Sequence, residues 1–384
     1  MSRVITITSG KGGVGKTNIS LNLALHLSTH GYRVCLFDAD LGLGNINILL
    51  GMQPEYDLSD VILNGRNLED IIIKIQDRVH VLPASSGLEE MANLEADQTK
   101  ALIESLSKMN KYDFLLFDTS AGISKNVITF CLASPEVILV ITPEPTSLTD
   151  SFALLKVLRM NGFTGEAKLI INQCKNTDTA ALVYRKFKSA AVKYLGIDLS
   201  TLGMIYQDPK VVEAVRQQRP FLTLYPVCNA SKCIRQMGDR LLSAGRDELK
   251  EVDLVSFWSR CLQLIKSPVS YMSSKRERER HTSEPLLQRA GEETQRTIQQ
   301  DQRGHLPDSP LESAATERDV SGEPGLAGSM SSPEEDKKSA GAMNPEQALV
   351  PIMEKMIRNI SSLSKELQLL RGAIEGHRKS LGPR

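Results

Sequence analysis

Apolar and polar positions along the chain follow two periods, and the switches between them mark the elements. Near the start, Val4, Ile5 and Ile7 interleave with polar residues as in a strand, and Asn18 to His30 then takes helical spacing. Short apolar runs recur at Arg33 to Asp38 (RVCLFD), Val79 to Leu82 before Pro83, and Phe114 to Asp118 (FLLFD), then at Val137 to Ile141, Leu169 to Asn172 and Leu202 to Ile205. Helical stretches separate many of them, at Thr99 to Met109, Leu148 to Leu158, Ala180 to Tyr194 and Ala230 to Gly245. Continuous apolar strands alternating with helices predict an α/β fold, a doubly wound and mostly parallel sheet covered on both faces. Ligand then belongs at the carboxyl ends of the strands.

The pattern changes twice towards the C-terminus. Glu251 to Lys266 (EVDLVSFWSRCLQLIK) gathers Leu254, Val255, Trp258, Cys261, Leu262 and Ile265 on one helical face, widened by Phe257 and Leu264, with Arg260, Lys266, Lys275 and Arg276 supplying positive charge. Two readings are open for it, an amphipathic helix lying on a membrane surface or the last core helix of the domain. Residues 1–266 are therefore assigned to the domain. Residues 267–344 are assigned to a linker, since no aromatic residue occurs between Ser273 and Met343, and a segment rich in Ser, Pro, Gly and charge cannot offset its ordering entropy. Over 345–376 the positions Leu349, Met353, Met356, Ile360, Leu363, Leu367, Leu370 and Ile374 form a heptad stripe. It reads either as a short coiled coil or helix that meets an unknown partner or, since Gly372 and Gly376 weaken its end, as a marginal amphipathic helix with no fixed partner.

Charge and cysteine content narrow the function classes. Lys+Arg and Asp+Glu both total 46, so no global field draws the chain to nucleic acid, and no sequence-specific nucleic acid partner is expected. The six cysteines lack a paired framework apart from Cys228 and Cys233, which fits a reducing cytoplasm better than a disulfide scaffold. No apolar run approaches the roughly 20 residues that span a bilayer, and the first strand starts where a signal peptide would.

The candidate chemistry centres on Gly10 to Thr17 (GKGGVGKT), which satisfies G-x-x-x-x-G-K-[ST] between a strand and a helix. Backbone N–H groups of Gly10, Lys11, Gly12, Gly13, Val14 and Gly15, with Asn18 in the first helical turn, form a cradle for phosphate oxygens. Lys16 adds a point charge to the outer phosphates, and the Thr17 hydroxyl can ligate Mg²⁺, so ATP and Mg²⁺ are the expected ligands. Strand-end carboxylates supply the rest. Asp118 is placed to hold the Mg²⁺ shell, Asp40 to orient or deprotonate the attacking water, and Asp38 to serve the outer metal shell; the competing role for each is a helix or turn cap.

A simple P-loop needs one lysine, and this one has a second at Lys11. With KGGVGKT, DADLGLGN (Asp38 to Asn45) and DTSAG (Asp118 to Gly122), the chain resembles the MinD/ParA family of dimerising ATPases over about residues 1–245. The resemblance implies that Lys11 acts across an ATP-bound homodimer, that Asn172 and the loop Tyr206, Asp208 and Pro209 form the adenine site, and that ATP is hydrolysed. TPEPTSLTDSFALLKVL (Thr142 to Leu158) and AVRQQRPFLTLYP (Ala214 to Pro226) resemble the FlhG/FleN branch, which regulates flagellar number and placement. That branch implies peripheral association with the inner face of the cell membrane and with flagellar assembly proteins such as an FlhF-like GTPase. Its N-terminal motif that stimulates that GTPase is not expected here, because the chain opens directly on its first strand. Two alternatives stand beside it. A MinD-like division-site or ParA-like partitioning ATPase would have to bind another target, and DNA partitioning would need a basic surface. A non-catalytic scaffold would leave the nucleotide set without a role.

Overall fold

The computed structural model describes residues 2–40, 45–84, 87–243 and 251–267. The expected linker from 268 onwards and the heptad helix at 345–376 lie outside the described residues. In chain order the elements are β1 (Ser2–Ser9), α1 (Lys16–Thr29), β2 (Val34–Ala39), α2 (Asn45–Leu50), α3 (Leu58–Asn64), α4 (Leu68–Ile71), β3 (Ile73–Gln76), β4 (Val79–Pro83) and α5 (Gly87–Glu90). There follow α6 (Ala96–Ser107), β5 (Phe114–Ala121), α7 (Lys125–Ala133), β6 (Glu136–Ile141), α8 (Pro145–Met160), β7 (Glu166–Cys174), α9 (Thr177–Leu195) and β8 (Leu199–Tyr206). Last come α10 (Pro209–Arg216), α11 (Phe221–Leu224), α12 (Asn229–Ser243), β9 (Glu251–Val252) and α13 (Leu254–Lys266).

The strands form one sheet in the order β3-β4-β2-β5-β1-β6-β7-β8. From β4 to β8 every neighbouring pair runs parallel, as continuous apolar runs require when both faces are covered. Two short antiparallel strands complete it, β3 on the β4 edge and β9 on Ser2 and Arg3 of β1. The sequence reading did not separate β3, whose apolar run continues straight out of α4.

Successive side chains of a strand point to opposite faces, and the core divides accordingly. Ile5, Ile7, Leu36 and Leu116 pack under α1 and α12, while Val4, Phe37, Leu115 and Phe117 pack under α6, α7 and α13. A third cluster joins Leu139 and Leu169 to α8 and α9. Because β1 lies between β5 and β6, the chain order reverses at its carboxyl end, which is where the Gly10 to Thr17 loop begins.

The helix with two open readings forms, and its apolar face points inward, as a core helix requires. Leu254, Phe257, Trp258, Cys261, Leu262 and Ile265 are all buried in the α13 layer, and the Trp258 ring lies 5.4 Å from Phe37 and 5.6 Å from Phe117 between centroids. Val255, placed on the lipid side by the helical wheel, is the half-exposed outlier. Withdrawing the two aromatics would forfeit about 3–5 kcal/mol each, so in this fold the face belongs to the core and not to lipid. Asp253 caps the helix through the Val255 and Ser256 N–H groups, and Lys266 Nζ donates to the Leu94 carbonyl at its far end.

Candidate nucleotide site

The glycine loop holds its shape by close backbone packing. A Cβ on Gly10 would come within 2.1 Å of the Asp150 and Ser151 backbone of α8, so only glycine allows that approach. Gly15 has φ +95°, the left-handed region, and a Cβ there would sit 2.5 Å from Asn172 Nδ2. The open side is different, since a Cβ on Gly12 or Gly13 would meet nothing within 4 Å. Helix α1 starts at this opening with no side chain capping it and no acidic residue in its first turn. Its first N–H groups and positive dipole end are thus left to an anion.

Lys16 and two carboxylates stand behind the loop. The Lys16 side chain is 8% exposed, and its Nζ donates to Ser9 Oγ at 3.0 Å, while Ser9 donates to the Lys11 carbonyl at 2.7 Å. Burial lowers the Lys16 pKa, against the pull of Asp118 and Asp40. Asp38 and Asp118 are direct register partners on β2 and β5, both buried. Burial and the neighbouring Asp118 push Asp38 up to about 7. Burial pushes Asp118 up to about 6, with Lys16 and the Thr17 and Ser20 hydroxyls pulling the other way. Ser20 donates to Asp118 Oδ1 at 3.0 Å, whereas buried Oδ2 has no hydrogen-bond partner among the described residues. The local charge is therefore short of cations, and the chemistry of the set, a hydroxyl beside an unpartnered carboxylate oxygen, fits Mg²⁺ carried in with phosphate.

The structure brings Gly10, Gly12, Gly13, Val14, Gly15, Lys16, Thr17, Asn18, Asp38, Asp40 and Asp118 to one end of the sheet. Asp40 accepts from Asn45 Nδ2 at 2.6 Å, and Asp38 accepts from the Asp40 and Ile46 N–H groups. Asn172 joins them from the end of β7, but as a brace: its Nδ2 donates to the Val14 carbonyl at 2.7 Å and its Oδ1 accepts from the Gln173 N–H. The rest of the expected adenine loop bonds elsewhere. Tyr206 pairs its hydroxyl with Thr177, and Asp208 accepts from the Lys210 and Ala230 N–H groups, capping both α10, where Pro209 is the first residue, and α12. Lys11 is held within its own chain, with Nζ 2.6 Å from Glu144 Oε2 and 2.9 Å from Thr146 Oγ1 at the start of α8.

Four supporting residues escaped sequence reasoning: Ser9, Ser20, Glu144 and Thr146. Ser20 left a signal, one of two polar residues, with Asn22, set in the largely apolar run Ile19 to Leu25. The others depend on which strand ends meet.

Comparison with known proteins agrees with this architecture. The family profile described as an AAA domain matches residues 2–165. The antiactivator FleN of Pseudomonas aeruginosa is 37% identical over 240 residues, spanning 62% of this chain and 86% of FleN. The flagellum site-determining protein YlxH of Helicobacter pylori is 32% identical over 269 residues, 69% of this chain and 91% of YlxH. Among solved structures, the septum site-determining protein MinD of Pyrococcus horikoshii, complexed with Mg-ADP, aligns at a TM-score of 0.51 and 26% identity, covering 65% of this chain and 100% of that one. A glycine loop with this buried Lys16 and Asp118 behind it, on this strand order and with these relatives, places the chain in the MinD/ParA family of P-loop ATPases, where it is similar to the FleN/FlhG type.

Proposed function

We propose that the protein is an ATP-dependent switch: it binds Mg-ATP, dimerises, hydrolyses the nucleotide and so sets the number or placement of flagella. The observation that carries the reading is the buried Lys16–Asp118 cluster behind the open glycine loop, with one carboxylate oxygen left unpartnered. The flagellar output rests on the likeness to FleN and YlxH.

In this reading the loop N–H groups and the α1 terminus bind the phosphates, and Lys16, pinned by Ser9, neutralises the outer ones. Thr17 and Asp118 would hold Mg²⁺, with Asp38 behind them; the ion supplies charge neutralisation across the phosphate oxygens. Ser20 fixes the Asp118 carboxylate by one oxygen and leaves the other its acceptor capacity. Asp40 orients the attacking water or takes its proton. Asn172 keeps the loop in register from behind, and with Tyr206, Asp208 and Pro209 borders the adenine. Lys11 leaves Glu144 to reach the nucleotide of a second subunit. Flagellar assembly proteins, among them an FlhF-like GTPase, are the partners. Peripheral attachment to the inner face of the cell membrane remains in the reading, but α13 is not its carrier.

Light scattering with and without ATP tests the switch, using Asp40→Ala to slow turnover. The variant should bind ATP and accumulate as a dimer while hydrolysis falls. If ATP binds yet turnover is undiminished, Asp40 has been given the wrong role; a monomer under all nucleotide conditions would sink the switch itself. Sedimentation with anionic liposomes decides the membrane clause, which fails if ATP does not increase pelleting of the full chain.

A further inference from the structure

Far from the glycine loop, α1 ends in a second cluster of donors. His26 lies in the last turn of α1 and His30 caps its end, close to the i, i+4 spacing by which helices present two imidazoles to one ion. Asp239 of α12 faces both. Its Oδ1 lies 2.8 Å from His26 Nε2 and 3.7 Å from His30 Nε2, and one ligand atom from each of the three residues falls within 4.8 Å of the others. Around a tetrahedral zinc with bonds of about 2.0–2.1 Å, neighbouring ligand atoms stand ~3.3 Å apart, a spacing these two distances bracket.

Three further observations favour a built site over a chance surface pair. The His26 side chain is 5% exposed and cannot swing away, whereas His30 and Asp239 open to solvent and leave an entry path. His30 Nδ1 lies 3.2 Å from the His26 carbonyl oxygen, so an Nδ1–H donated there leaves Nε2 with its lone pair towards Asp239. A backbone carbonyl fixing a ligand imidazole in this way is the usual outer support of a metal site. Gly238, next to Asp239, lets α12 close in: a Cβ there would stand 2.1 Å from His26 Cδ2.

We propose that His26, His30 and Asp239 bind a divalent transition cation of the zinc class, with water completing the shell. Two imidazoles and one carboxylate suit such an ion, and not Mg²⁺ or Ca²⁺, which take oxygen. The 14 residues of α1 put the ion roughly 20 Å from Lys16, so it ties α1 to α12 and takes no part in phosphate chemistry.

The test is calorimetric titration of Zn²⁺ into the chelator-stripped full chain, with Co²⁺ absorption as a second readout. One ion per chain is expected, with no thiolate charge-transfer band. His30→Ala, at a half-exposed position, and Asp239→Asn, which can keep a hydrogen bond to His26, should each weaken binding by ~100-fold or more, given that loss of mere outer-shell partners costs 10–100-fold. Both variants should melt like the wild type without metal and lose the rise in unfolding temperature that Zn²⁺ gives it. Wild-type affinity in either variant, or a Co²⁺–thiolate spectrum, would reduce the cluster to a hydrogen-bonded pair and overturn the proposal.

Discussion

Two groups of buried charge sit at opposite ends of the same sheet, and they are built differently. At the amino end of β1, Arg3 is 4% exposed and meets Glu136, 2% exposed, through a two-pronged ion pair of 2.6 and 2.8 Å; Lys168 adds a second cation at 2.7 Å and the Leu241 carbonyl takes another Arg3 N–H. Burial pushes the Glu136 pKa up, but Arg3 and Lys168 outweigh it and hold the carboxyl below its usual range. At the carboxyl end, Asp38 and Asp118 face each other, with Lys16 the nearby cation and both pKa values raised. One cluster is complete in itself, and the other is short of positive charge and of hydrogen-bond donors. Burial alone therefore says nothing about function. What distinguishes the site is the charge it leaves unmatched.

Removing one charge from each cluster should accordingly have opposite effects on stability. Glu136→Ala strands a buried guanidinium and should destabilise the chain by about 3–5 kcal/mol in chemical denaturation, with nucleotide affinity of the folded fraction unchanged. Lys16→Gln should leave the fold intact and lower the ATP turnover rate by roughly 10²–10³-fold, about 2.7–4 kcal/mol of transition-state stabilisation, in a steady-state phosphate-release assay. Asp118→Asn relieves the like-charge pair, so the nucleotide-free protein should gain on the order of 1–3 kcal/mol at pH 8 while losing the Mg²⁺ dependence of nucleotide binding. A destabilised Asp118→Asn would erase the contrast.

The smallest effect is a pH dependence of opposite sign at the two ends. Asp38 and Asp118 titrate at about 7 and about 6 when folded, above an unfolded value of roughly 3.9, so between these limits the folded state holds more protons. Their contribution to stability is greatest on the acid side and should fall by about 1 kcal/mol per pH unit for each group as pH rises through that window. Glu136, with its folded pKa lowered, contributes above its unfolded value and loses that contribution as pH falls through the folded one. Denaturation midpoints of wild type and Asp118→Asn between pH 5 and 8 should therefore diverge as pH rises.

The sheet was legible because parallel strands buried on both faces read as unbroken apolar runs, as in RVCLFD and FLLFD. The glycine loop was legible because its chemistry is local. What stayed hidden was tertiary. The α13 stripe has the same spacing whether it meets lipid or a sheet, and only the Phe37–Phe117–Phe130 layer beneath it decides between them. Asp208 is assigned to the adenine site by resemblance alone, and the structure uses it to cap two helices. Ser9 and Glu144 acquire meaning only once β1 and α8 are neighbours.

Trp258 is the single tryptophan of the 384 residues. Its indole is fully buried, its Nε1 has no hydrogen-bond partner among the described residues, and it touches Phe37 and Phe117, each one residue before a site aspartate. Excited at wavelengths beyond the absorption of its eight tyrosines, the chain emits from one indole in a dry aromatic layer, two side chains away from the carboxylates of the site. The protein thus carries, without any attached dye, an optical gauge seated on β2 and β5.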